Sequence, residues 1–189
     1  RLNFVNFLKK IKVNKFDIIF DVGAHKGESI IFFNKYFSVN KIISFEPSPI
    51  NFTKLEKFVK NKKFKSEVIL ENFGLGLREE KKQLNHAIES SSSTFNEINY
   101  NSKYYNKKKK LLNFFSNKKY TTKVEVNIIN LKSNMINNKV DKVDLLKIDT
   151  EGFEFDVLSG LGDKIQQIKF IFFEHHYDDM YIKNYTYSD

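Results

Sequence analysis

The chain has 189 residues, a formal net charge of +9, 41% hydrophobic residues, 20 Phe, no Trp and no Cys. That length suits one domain with a sizeable core. The lack of cysteine excludes disulfides and thiolate metal sites and fits a reducing, cytoplasmic setting. No apolar stretch approaches the roughly 20 residues that cross a bilayer.

Leu2, Val5, Leu8 and Ile11 recur at helical spacing among Lys9, Lys10 and Lys12, which predicts an amphipathic helix over about 2–13 packed on a domain edge. Next comes Ile18-Ile19-Phe20-Asp21-Val22-Gly23-Ala24-His25-Lys26-Gly27: a buried strand over 17–22, a tight loop, and a helix from Gly27 to about Phe37. A second strand over 41–46 ends at Glu46 and Pro47. Ser48 then caps, and Pro49 opens, a helix running to about Lys60.

A third strand covers 67–73 and meets the Asn72-Phe73-Gly74 turn. Residues 81–88 suggest a short strand. From Ser90 to about Lys119 the chain is rich in Ser, Asn, Lys and Tyr without periodicity, and it reads as a long loop or insertion shaping a pocket. Thr122–Ile129 alternates as a half-buried strand. Strand four, 143–149, runs into Thr150-Glu151-Gly152 and a helix over about 153–159, and strand five, 169–173, ends in Glu174-His175-His176. Strands alternating with helices predict an α/β fold: a doubly wound, mostly parallel sheet with helices on both faces.

A glycine loop followed at about 20 residues by a strand-end acid is the nucleoside-binding pattern of such folds, the acid taking the ribose hydroxyls. Dinucleotide sites want a glycine where His25 stands, so that the backbone can approach a pyrophosphate. No G-x-x-x-x-G-K-[ST] occurs either. S-adenosylmethionine has no phosphate and tolerates a side chain there, with Gly23 making the turn and Gly27 the helix–strand contact. Ligands in these sheets sit at the carboxyl ends of the strands, which gathers Asp21, Gly23, His25, Glu46, the 147–151 segment and Glu174-His175-His176. Lys147 and Asp149 share strand parity, and a buried Lys147 needs a partner, with Asp21 and Asp149 in reach if strands one and four are neighbours. Asp149, Glu151, Glu174 and His175 could group around a hard metal, but nothing in their spacing demands it, and the reading carries no metal. The lysines are scattered, with the one dense run at 107–110 and no accompanying aromatic pattern, so nucleic acid is not the expected partner.

D-V-G-A-H-K-G, F-E-P-S-P, the 72–76 turn, the serine run, D-L-L-K-I-D-T-E-G-F-E and F-F-E-H-H resemble, in content and order, the FkbM-type S-adenosylmethionine-dependent methyltransferases, over about 16–176. The resemblance implies a Rossmann-like class I methyltransferase fold, a single domain over 1–189 with a variable 90–120 segment, and O-methylation of a hydroxyl on a sugar, polysaccharide or secondary metabolite. It implies a cofactor-binding set of Asp21, Gly23, Ala24, His25, Gly27, Glu46, Pro47, Asn72, Phe73, Gly74 and Asp149. For the base it leaves Glu151 or His175, with Asp149 and Lys147 holding the geometry. Family members usually carry Thr-Leu-Asp where Asn130-Leu131-Lys132-Ser133 stands here. The antiparallel hairpin that closes a full class I sheet has no counterpart after His176, so a fragment or reduced C-terminal part is expected. Rival readings are a non-catalytic cofactor-binding module of the same fold and an RNA methyltransferase.

Overall fold

A computed structural model describes residues 2–87, 93–103, 107, 121–174 and 181–182. His175 and His176, and most of the 90–119 segment, lie outside the described residues.

The central sheet has five parallel strands in the order β3-β2-β1-β8-β9. These are β1 (Lys15–Val22), β2 (Ser38–Phe45), β3 (Glu67–Glu71), β8 (Val143–Ile148) and β9 (Ile168–Phe173). Their order reverses between β1 and β8, so the condition for the Lys147 pairing is met: these strands are neighbours, with Asp21 opposite Lys147 and Val22 opposite Ile148. This is a topological switch point, where a crevice opens at the carboxyl ends of the strands.

The continuous apolar runs reflect burial on both faces. On one face α1 (Leu2–Lys10), α2 (Glu28–Tyr36) and α3 (Pro49–Lys60) bring Val5, Leu8, Ile30, Phe33 and Leu55 onto Ile19, Ile42 and Leu145. On the other, α4 (Leu131–Asn137) and α5 (Glu154–Ser159) bring Leu131, Met135 and Val157 onto Phe20, Ile43 and Leu146. The expected N-cap is present: the Ser48 hydroxyl accepts from the Asn51 N–H at 3.3 Å, and Pro49 follows. No helix of the described residues is long and apolar enough to cross a membrane.

Three features depart from the expected elements. The third strand ends at Glu71, not Phe73, because the chain turns at Asn72 and leaves the sheet. Gly74–Gly76 (β4) instead starts a second sheet, β4-β7-β5, with β5 (Glu80–Ala87) and β7 (Thr121–Asn130). The Asn130–Ser133 stretch turns out to be a helix start: the Asn130 side chain accepts from the Ser133 N–H at 2.7 Å and caps α4. A short 3-10 helix, Gly162–Gln167, precedes β9, and β10 (Tyr181–Ile182) pairs antiparallel with β6 (Glu97–Ile98).

Candidate active site at the carboxyl ends of β1, β2 and β8

β1 ends in a loop whose backbone is bent by left-handed residues at Gly23, His25 and Gly27, with φ of 76°, 52° and 93°. At Gly23 the Asp149 carbonyl oxygen would lie 1.9 Å from any Cβ, so only glycine lets β8 approach. At Gly27 a Cβ would meet Phe58 and Leu55 of α3, which makes this glycine a helix–helix contact, where a helix–strand contact was expected.

The donors of this loop are fully engaged. The N–H groups of Gly23 and Ala24 donate to the Phe45 carbonyl at 3.0 and 3.1 Å, and that of Gly27 to the Ala24 carbonyl at 2.9 Å. His25 N–H donates to Glu46 Oε2 at 2.9 Å, and Lys26 N–H to Glu28 Oε2 at 3.2 Å. A phosphate site needs such N–H groups pointing at the ligand. Here they point at β2 and at a carboxylate already seated on the helix N-terminus. The case against a dinucleotide therefore rests on exhausted donors as well as on the bulk of His25, whose ring turns aside to Glu28 at 3.2 Å. Burial acts to raise the Glu28 carboxyl, but its own N–H, His25 and the Lys26 N–H outweigh it and hold it below the usual range. Burial also lowers His25, against the attraction of Glu28.

Glu46 is only 5% exposed and clamps two loops, its other oxygen accepting from the Ser48 N–H at 2.9 Å. Burial pushes its carboxyl up to about 7, opposed by those two N–H groups and by the side-chain amide of Asn51. Asn72 holds the same corner from outside, donating to the Glu46 carbonyl at 2.8 Å, and Phe73 packs on Phe45. The buried His86 contacts the Ser48 hydroxyl through Nδ1 at 3.1 Å, and burial lowers its pKa.

Beneath the turn, Lys147 pairs with the fully buried Asp21 at 3.1 Å and with Asp149 at 3.6 Å, and it donates to the Gly23 carbonyl at 2.9 Å. Asp21 also accepts hydrogen bonds from Ser29 and Ser44. This buried cation therefore ties β1 to β8 under the loop, a positioning arrangement.

Opposite stands the Thr150-Glu151-Gly152 loop, where Glu151 has a φ of 55°. Left-handed backbone at a non-glycine residue is strained and persists only when its surroundings impose it. The buried Glu154 carboxylate accepts from the N–H groups of Thr150 and Gly152 at 3.2 and 3.0 Å, and from the Thr150 hydroxyl at 3.0 Å. From above, the Thr94 hydroxyl donates to the Glu151 carbonyl at 2.7 Å, and the Asn96 amide to that of Gly152.

Between these walls lies a cavity of about 320 Å³. Of the residues expected from sequence, Gly23, Ala24, His25, Glu46, Pro47, Gly74, Lys147, Asp149 and Glu151 line it. Asp21, Gly27, Asn72 and Phe73 do not; they lie behind the lining and hold it in shape. Thr150 and Glu174, which the sequence gathers at the same strand ends, also line it; lining residues that sequence reasoning missed are Val22, Glu28, Ser29, Phe45, Asn51, Leu75, Leu84, Ser93 and Phe95. Asn51 had a legible signal, since Ser48 and Pro49 begin a helix whose first turn must face the strand ends. Leu84 and Phe95 had none, because Leu84 arrives from β5 of the second sheet and Phe95 from the segment beside it. Glu28, Glu151 and Glu174, beside the raised Glu46 and the Lys147–Asp149 pair, leave the cavity lining net acidic on a basic protein, which suits a cationic ligand. No group of three or more acids and histidines among the described residues is placed to hold a metal ion.

The Methyltransferase FkbM domain model matches residues 21–188. The chain belongs to the FkbM methyltransferase family. No curated protein and no solved structure matches it. Family membership supports methyl transfer as the activity, and the five-stranded parallel sheet with helices agrees with an α/β class I methyltransferase fold.

Proposed function

We propose that the protein is an S-adenosylmethionine-dependent O-methyltransferase, built as one domain and acting on a hydroxyl of a sugar, polysaccharide or secondary metabolite. One observation carries the choice of donor. The β1 loop has no N–H group left for a phosphate, yet it borders a carboxylate at the end of β2 and an acid-lined cavity. A phosphate-free nucleoside with a cationic end fits that chemistry.

In this reading Gly23 and Ala24 face the amino-acid end of the cofactor, Glu46 accepts from the ribose, and Pro47 and Gly74 border the base. Asp21, Gly27, Asn72 and Phe73 hold the loops that carry those contacts. When bound, the cofactor supplies an electrophilic methyl group whose transfer neutralises a sulfonium, so no oxyanion hole is required. The protein's work is alignment of the acceptor oxygen with that methyl, plus a base within about 2.6–3.2 Å of the acceptor hydroxyl. Glu151, lining the cavity on a strained loop, is assigned as that base, with His175 the other sequence-based choice.

Thermal melting with S-adenosylmethionine, S-adenosylhomocysteine and NAD tests this, because a ligand that binds only the native form raises its stability. A rise with the first two and none with NAD is expected. A rise with NAD alone would refute it.

A further inference from the structure

The positive charge of this protein is not spread evenly. Residues 54–65, the last two turns of α3 and the stretch after it, hold six lysines (Lys54, Lys57, Lys60, Lys62, Lys63 and Lys65) against one acid, Glu56. More than half of the net charge of +9 therefore sits on twelve residues. All six lysines are exposed, and none forms an ion pair among the described residues. Lys57 and Lys60, in the last turn, complement the helix dipole. That role does not reach Lys54, in the middle of the helix.

The cluster starts at the cavity. Asn51, one turn before Lys54, is in the cavity wall, and Lys54, Lys57 and Lys60 recur every third residue along one side of the helix, over about 9 Å. The charge of Lys54 reaches two histidines beside the cavity: it adds to burial in lowering His25 of the β1 loop and His86 of β5, and Lys26 acts on His25 in the same sense. A cationic rim thus borders a net acidic interior. Glu28, Glu151 and Glu174 repel the charges of a polyanion held along α3, so the cavity admits only an uncharged hydroxyl of it. The face offers nothing on which a nucleobase can stack: Phe52, Phe58 and Phe64 are half-buried, Lys62 covers the Phe58 ring at 4.7 Å, and no arginine is present. We propose that this side of α3 docks an anionic polysaccharide acceptor, whose acidic groups lie along Lys54, Lys57 and Lys60 while a neutral hydroxyl of the same chain enters the cavity. The inference rests on the sugar-hydroxyl reading above and narrows it to glycans that carry acidic groups.

The test is fluorescence anisotropy of labelled oligogalacturonate, a carboxylated sugar chain, titrated with the wild type and two triple variants. One is Lys54→Gln, Lys57→Gln, Lys60→Gln on α3; the other is Lys9→Gln, Lys10→Gln, Lys12→Gln at the end of α1. Both lose the same charge, and glutamine keeps the helix propensity of lysine. The wild type is expected to bind the acidic chain, to weaken steeply between about 50 and 200 mM salt, and not to bind neutral dextran. The α3 variant is expected to bind about tenfold more weakly or worse, and the α1 variant within about twofold of the wild type. Equal weakening in the two variants, no binding by the wild type, or tighter binding of a uridine oligonucleotide of equal charge overturns the proposal. Thermal melting of the same proteins with S-adenosylhomocysteine keeps the two readings apart. A shift retained in the wild type while the titration fails overturns the docking face alone, and absence of that shift in the wild type overturns the donor reading.

Discussion

The two walls of the cavity are assembled over very different sequence distances. On the glycine-turn side, Gly23, Ala24 and His25 find their partners at Phe45 and Glu46, at most 22 residues on and along one strand pairing. On the other side, the Glu151–Gly152 loop takes its bonds from Thr94 and Asn96, 57 and 56 residues away on a segment that Thr94 bridges to Asn85 of β5. A wall built from neighbouring strand ends is dictated by glycine positions and register. A wall completed by a distant segment depends on how two sheets pack. In the proposed reading the first wall meets the cofactor, which does not vary, and the second the acceptor, which can.

The largest effect that would break this contrast is on the turn itself. Gly23→Ala places a Cβ on the Asp149 carbonyl at a φ of 76°, and it should cost about 4 kcal/mol or more in urea unfolding. Gly162→Ala, at a φ of 53° but in open space, should cost only about 1 kcal/mol. Equal costs would mean that strand approach is not what selects Gly23. Next, Lys147→Met strands the buried Asp21 carboxylate and should destabilise by about 3–5 kcal/mol in the same assay. A neutral result would remove the buried pair as the tie between β1 and β8.

Glu46 gives the third effect, and its sign follows from the direction of the shift. A carboxyl raised from its ordinary 4.5 to about 7 binds its proton more tightly when folded. Its stabilising contribution is therefore full below about 4.5 and lost as pH rises through 7, on the order of 3 kcal/mol. Urea unfolding of the wild type against Glu46→Gln between pH 4.5 and 8 should show that slope in the wild type alone. Since a ribose hydroxyl donates best to the ionised form, cofactor affinity should run the other way and rise about tenfold from pH 6 to 8.

The smallest change is on the far wall. Glu151→Gly relieves a φ of 55° without touching the carbonyl that Thr94 holds, so stability should stay within about 1 kcal/mol of wild type or rise. Methyl transfer, followed as S-adenosylhomocysteine release with an acceptor that the wild type turns over, should fall by at least about a hundredfold. A variant both unstable and active would reverse the roles of strain and base.

These magnitudes track what was readable beforehand. The order of strands and helices, the Ser48 cap and the Lys147 pairing with Asp21 and Asp149 could be read from apolar runs, punctuation and strand parity. Each of these depends on local periodicity or on one switch point. Leaving the sheet at Asn72 was not readable, because Gly74-Leu75-Gly76 looks like a turn in isolation and becomes a strand only by pairing with Ile128–Asn130. The same holds for Phe95, whose place in the cavity wall comes from packing on Phe153. The Asn130 stretch read as a lost acid, whereas its side chain caps a helix.

The most direct test of the account is calorimetric titration of S-adenosylhomocysteine at pH 8 into the wild type and Glu46→Gln. Loss of a charge-assisted hydrogen bond, about 1.5–3 kcal/mol, predicts at least tenfold weaker binding by the variant. Equal affinity in the two proteins would contradict the claim that the carboxylate at the end of β2 holds the nucleoside.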